Sequence, residues 1–173
     1  QIMNILPDIK IVDLGLFVDS ALIIADVHIG YEEALNKQGV LVPRLQFEEM
    51  AKRMGKILGM LKGKKLEKII VNGDLKHEFG TISEQEWRNT LKFLDLLAKH
   101  CNEIILVKGN HDTILEPIAK KRNVKVVDCY IAGDVLVAHG NKIPNKNTLK
   151  SIKTIIIKIN SSFPIRHFPM SNV

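Results

Sequence analysis

Apolar residues in this chain fall into two patterns. One is the short, unbroken run. Residues 21–25, residues 67–71 centred on Ile69, Ile70 and Val71, and residues 103–107 are of this kind. Runs without polar interruption predict strands buried on both faces. The other pattern is recurrence every three or four positions. Phe47, Met50, Met54, Ile57, Leu58 and Leu61 predict a helix over 45–61, and residues 31–38 predict a shorter one that stops at Gly39. Ser83 with Glu86 three residues on has capping-box spacing, and Trp87, Leu91, Leu94 and Leu97 give the helix beyond it an apolar stripe. Residues 113–122 predict a short helix whose regularity Pro117 limits. Residues 9–12 and 16–18 predict a hairpin around Gly15. Residues 124–127, 130–132 and 135–138 predict further strands, the last two joined through Gly133-Asp134, and 154–159 is a β-branched strand. Strands alternating with helices predict an α/β fold. No repeat, low-complexity segment or linker divides the chain, so residues 1–173 read as a single domain.

Composition agrees with this picture. Of 173 residues, 46% are hydrophobic and 25% charged, enough to build a core and too apolar for disorder. No apolar run approaches the roughly 18 residues of a membrane span. The start of the chain lacks a basic head joined to an apolar stretch, so no secretory leader is expected, and Met3 reads as the natural start. Cys101 and Cys129 are isolated, form no zinc-type pair, and suit a reduced, cytoplasmic setting. The net charge of +6 admits two readings. One is a solvated lysine-rich surface; the other is an anionic partner such as nucleic acid or a phosphate ester.

The chemistry lies in the residues just after each apolar run. Asp26-Val27-His28 comes after the first, and Asn72-Gly73-Asp74 with His77 after the second. Gly109-Asn110-His111-Asp112 comes after the third, and His139-Gly140 after residues 135–138. Taken singly, each is ordinary turn chemistry or a structural histidine. Together they are four oxygen-and-imidazole groups at strand ends. That is where α/β sheets bind ligands, and those donors suit Mn, Fe, Zn or Ni.

With these residues in view the sequence resembles the calcineurin-like metallophosphoesterase superfamily. Its motifs are Asp-x-His, Gly-Asp-x-x-Asp/His, Gly-Asn-His-Asp/Glu, Gly-His and Gly-His-x-His. The resemblance is strongest over residues 21–140, and His77 is similar to the branch containing SbcD-type DNA nucleases and small archaeal or ligase-associated phosphoesterases. It implies a four-layer α-β-β-α sandwich. It also implies two divalent ions, Mn²⁺ first among them, with Asp26 and His28 on one, Asn110 and His139 on the other, and Asp74 bridging both. A metal-activated hydroxide would then hydrolyse a phosphodiester or phosphomonoester. His111 would serve the leaving group, while His77 and Asp112 would orient His111, touch substrate or be structural.

The last motif, Gly-His-x-His, has no counterpart. Lys158 stands where it is expected, and the unmatched tail 160–173 holds only His167, in a proline-flanked context. The resemblance therefore implies a truncated or divergent C-terminal end. Residues 26–139 would still give each ion three ligands, counting the bridge twice. A second function stays open: a weakly active or inactive relative that binds nucleic acid or a repair partner through the basic segments 62–68, 120–125 and 142–158. Strand 154–159 offers an edge on which a homo-oligomer could pair.

Overall fold

The computed structural model describes residues 2–78, 82–112, 115–140 and 152–157. Its elements in chain order are β1 (Ile2–Leu6), β2 (Ile9–Val12), β3 (Gly15–Val18), β4 (Ala21–Ala25), α1 (Tyr31–Lys37), α2 (Gln46–Met60), β5 (Lys68–Asn72), α3 (Glu84–Ala98), β6 (Glu103–Val107), α4 (Glu116–Arg122), β7 (Lys125–Val127), β8 (Cys129–Ala132), β9 (Val135–Ala138) and β10 (Thr154–Ile157). A seven-stranded sheet runs in chain order from β1 to β7, and a three-stranded sheet has the order β10-β9-β8. β1 to β4 pair antiparallel, and β4 to β7 pair parallel. In the small sheet β9 pairs antiparallel with β8 and parallel with β10.

The unbroken apolar runs are central strands with two covered faces. Successive side chains of a strand point to opposite faces, which sorts each run between two cores. Leu22, Ile24, Ile69, Val71, Ile104 and Leu106 pack against Met54 and Ile57 of α2, Phe93 and Leu97 of α3, and Ile118 of α4. Ile23, Ile70, Ile105 and Val107 face the other way, onto Val135, Val137 and Ile156 of the small sheet. The described layers are therefore helix, sheet and sheet, an α/β architecture of the expected kind. The outer helical layer that completes a four-layer sandwich is not among the described residues.

Several details differ from the pattern-based expectations. β1 has no expected counterpart; all five of its residues are exposed, so no alternation of apolar and polar positions marks it. The hairpin turns at Asp13, which has φ 57°, while Gly15 opens β3. A Cβ at Gly15 would lie 3.0 Å from Leu22 Cδ1, so close packing explains this glycine. α4 begins at Glu116, later than expected, with Pro117 in its first turn where the missing N–H costs nothing. Arg53 of α2 donates from Nε to Asp13 Oδ1 at 2.8 Å, and Lys56 lies 3.4 Å from Asp13 Oδ2, which ties the hairpin to the helical layer. Lys158, His167 and the tail 160–173 lie outside the described residues.

Candidate metal centre

Parallel β4, β5 and β6 end at one edge of the large sheet, and the loop after each carries a motif. β9 delivers His139 to the same place from the small sheet. Asp74 is the centre of the arrangement. Its Oδ2 lies 3.8 Å from His28 Nε2 and 3.4 Å from His139 Nε2, and its Oδ1 accepts the His111 N–H at 3.1 Å. Ligating atoms of Asp26, His28 and Asp74 lie within 4.8 Å of one another. On the other side His139 Nε2 lies 3.1 Å from Asn110 Oδ1. Asp26, Asp74 and His139 are buried, at 5%, 2% and 5% exposure. Crowding two buried carboxylates is costly unless cations compensate them, so this donor set fits divalent ions.

The backbone is bent to make this cluster. Asp26, His28 and Asp74 have φ of 52°, 49° and 47°. Left-handed backbone costs a non-glycine residue about 1–2 kcal/mol, and such strain gathers at functional sites. Glycines allow the close approach. A Cβ on Gly73, φ 78°, would lie 2.7 Å from His139 Cε1 and nearer still to Nδ1. A Cβ on Gly109 would run into Asp74 and lie 3.0 Å from Gly73 Cα. The turn residues of the motifs are thus dictated by space beside the ligands.

Three histidines, His28, His77 and His111, form a cluster beside the Asp26 and Asp74 carboxylates. The His28 ring centroid lies 5.4 Å from that of His77 and 5.2 Å from that of His111, and the His77 and His111 rings stack at 5.6 Å. Their nitrogens also approach within 4.8 Å of one another, a second grouping able to hold a cation. Burial pushes the His77 imidazole below its ordinary pKa, and the adjacent His111 pushes it the same way, against the pull of Glu78 and Asp74. The neutral ring is therefore favoured at His77. His111 Nδ1 is hydrogen-bonded to the His77 carbonyl. A carbonyl only accepts, so Nδ1 carries the proton in this contact.

The Asp112 carboxylate is bonded to backbone. Its Oδ1 accepts from the Leu75 N–H at 3.0 Å and the Lys76 N–H at 3.5 Å, and its Oδ2 accepts from the Gly109 N–H at 3.0 Å. The carboxylate thereby staples the loop after β5 to the loop after β6. Burial raises its pKa and Asp74 adds to the rise, while the Gly109, Lys76 and Leu75 N–H groups oppose it.

One participant stands beside Gly73 and Asp74 in the sequence but has no role in the motifs. Asn72, fully buried at the end of β5, accepts from His139 Nδ1 through its backbone carbonyl at 3.3 Å. Its Nδ2 donates to the Ala138 carbonyl at 3.1 Å. It joins the two sheets under the site and leaves His139 Nε2 directed at Asp74 and Asn110. A polar residue closing an apolar strand beside Gly73 is the signal that could have found it.

Comparison with known proteins agrees with this geometry. No curated protein matches the chain. Its fold is similar to that in the crystal structure of Pseudomonas putida nuclease MPE, with a TM-score of 0.58 and 21% identity over 84% of this chain and 68% of that one. The sequence description of calcineurin-like phosphoesterases matches residues 20–167, a span that includes all four motif loops and both sheets' contributions to the site. The chain belongs to the calcineurin-like phosphoesterase family, whose members are metal-dependent hydrolases of phosphate esters.

Proposed function

We propose that this chain hydrolyses phosphodiesters, or secondarily phosphomonoesters, with two divalent ions, Mn²⁺ in the first instance. Asp26, His28 and Asp74 would hold one ion, and Asp74, Asn110 and His139 the other. The observation that carries this reading is the placement of the Asp74 carboxylate, 3.8 Å from His28 and 3.4 Å from His139. Only a carboxylate offers two oxygens with lone pairs enough to serve two ions at once. Ions held there supply Lewis acidity toward phosphoryl oxygens and toward water.

The chain's own groups do the rest. Asn72 and the Gly73 cradle hold His139 in register. His111, its Nδ1 N–H engaged at the His77 carbonyl, would act as an imidazolium: the second proton, on Nε2, passes to the leaving oxygen and leaves the neutral, Nδ1-protonated ring. Asp112 keeps the Asp74 and Asn110 loops at fixed separation. The diester preference rests on His77 and on the structural likeness to a protein titled a nuclease.

Placement of the basic segments also bears on the alternative of a mere binding protein. Segments 62–68 and 120–125 lead into the amino ends of β5 and β7, the opposite edge from the motif loops. A nucleic-acid surface built on those two would not adjoin the site, while of the third segment, 142–158, only residues 152–157 are among the described residues, so the binding alternative stands beside catalysis. Among the described residues no helix is long and apolar enough to cross a membrane, and Cys101 and Cys129 are free thiols, which suits the proposed cytoplasmic location. The edge of β10, with Ile155 exposed, is where self-association is proposed.

The test is Mn²⁺ titration with turnover of a chromogenic diester. Asp74→Asn should lose metal and activity together, and His111→Ala should lose activity while keeping metal. If Asp74→Asn binds Mn²⁺ as the native chain does, the bridging role is wrong.

A further inference from the structure

The spacing of Ser83 and Glu86 predicts a capping box at the start of α3, and half of that box forms: the Ser83 side chain accepts the Glu86 N–H at 3.1 Å. The reciprocal half does not. The Glu86 side chain turns inward, and the residue is only 1% exposed. Its Oε1 accepts the His77 N–H at 2.9 Å and the Glu78 N–H at 3.2 Å. Its Oε2 is buried without a hydrogen-bond partner among the described residues. The carboxylate is wedged against Gly30, where a Cβ would lie 2.9 Å from Oε1, and that glycine has φ 95°. Glu86 sits in the first turn of α3, at the positive end of the helix.

A buried carboxylate is costly, and this one is aimed at two backbone N–H groups of the segment that carries His77. It grips the peptides on both sides of His77, and the second, through the Glu78 N–H, is the peptide whose His77 carbonyl receives His111 Nδ1. Ile29 O also accepts the His77 N–H at 2.9 Å, so β-bridge pairing and Glu86 fix the segment from two directions.

We infer that Glu86 is a positioning residue: by holding the His77–Glu78 backbone it sets the orientation and the Nδ1-protonated tautomer of His111, the group proposed to serve the leaving oxygen. The inference rests on that proposed role only for its catalytic consequence; its structural content stands by itself. Among the described residues the Glu86 carboxylate accepts from backbone N–H groups and from no proposed metal ligand, so its effect should separate from metal binding. A glutamine keeps the accepting oxygen and the reach, whereas an aspartate keeps the charge and loses one methylene of reach.

Nitrogen-15 NMR of the His111 ring in the full chain, without metal, gives the direct readout. The native chain and Glu86→Gln should show the Nδ1-protonated tautomer, and Glu86→Ala and Glu86→Asp should show a mixture of tautomers. In the diesterase assay with Mn²⁺, Glu86→Ala should lower kcat by about 10- to 100-fold, the usual scale for loss of a supporting partner, with KM and Mn²⁺ affinity little changed. Glu86→Gln should restore most of kcat. If Glu86→Ala does not fold, the comparison of Gln with Asp decides the matter by itself. An unchanged His111 signal in Asp or Ala overturns the inference, as does an Nε2-protonated tautomer in the native chain. Absence of turnover by the native chain, with the tautomer responding as described, would count against the proposed hydrolysis and leave the positioning role supported.

Discussion

Removing the Asp112 carboxylate should destabilise the fold by a predictable amount. In Asp112→Ala the N–H groups of Leu75 and Gly109, each bonded at 3.0 Å, lose their acceptor, and the 3.5 Å contact from Lys76 goes with them. Asp112 is 3% exposed, so water replaces the acceptor poorly. Each orphaned buried donor costs about 1–3 kcal/mol, and the 3.5 Å contact adds little. The two good bonds therefore sum to about 2–6 kcal/mol. Against this stands relief of a buried charge beside Asp74, the same burial and repulsion that raise the Asp112 pKa. The net loss should be about 2–4 kcal/mol, or roughly 5–15 °C in Tm for a domain of this size. Asp112→Asn keeps one acceptor and turns an N–H₂ toward a donor, so its loss should be smaller, about 1–3 kcal/mol. Urea denaturation of the metal-free chain at neutral pH measures both. The raised pKa also sets a sign: this group's contribution is fullest below the ordinary aspartate range and declines as pH rises through its folded value. Asp112→Asn should flatten that decline. An Asp112→Ala variant within about 0.5 kcal/mol of the native chain would refute the staple.

Gly109→Ala should fold poorly or lose metal binding, because its methyl would meet Asp74; thermal melts with and without Mn²⁺ read both effects. Asp13→Asn should cost about 1 kcal/mol at neutral pH, since it removes partly exposed charge-assisted bonds from Arg53 and Lys56. Burial raises the Asp13 carboxyl, but those cations outweigh it and hold it below the ordinary range, so the difference from the native chain should vanish as pH falls through that depressed value. Mn²⁺ affinity should tighten with rising pH, because imidazole and carboxylate bind a metal ion only when deprotonated, measured by isothermal titration. Placing a Gly-His-x-His segment after Ile157 should raise both Mn²⁺ affinity and diesterase rate, since two imidazole donors would be added; no gain in either would remove the reason for expecting them.

Strand ends and motif loops are legible in the sequence because both arise from strong local signals. Runs such as 69–71 are buried on two faces, and the polar residues after them have nowhere to go but the sheet edge. Asp26, His28, Asp74, Asn110 and His139 gather there as the motifs imply. The hidden features depend on contacts between distant segments. β1 is exposed throughout, so no periodicity betrays it. Trp87 and Leu91, part of the apolar stripe on α3, are half-buried, whereas the buried face runs through Glu86, Thr90, Phe93, Leu94 and Leu97. Two polar residues sit on that face because their partners are backbone groups, one of them in another loop, and a hydropathy pattern does not register such partners. Asp112 likewise reads as part of a catalytic motif, while its oxygens are directed at backbone N–H groups of Leu75, Lys76 and Gly109.

The central claim is that Asp74 is shared between two ions. The most direct measurement is an anomalous difference map from crystals of the native chain soaked in Mn²⁺. Two peaks should flank the Asp74 carboxylate, one against Asp26 and His28 and the other against Asn110 and His139. A single peak held by His28, His77 and His111, with none at Asp74, would contradict the claim.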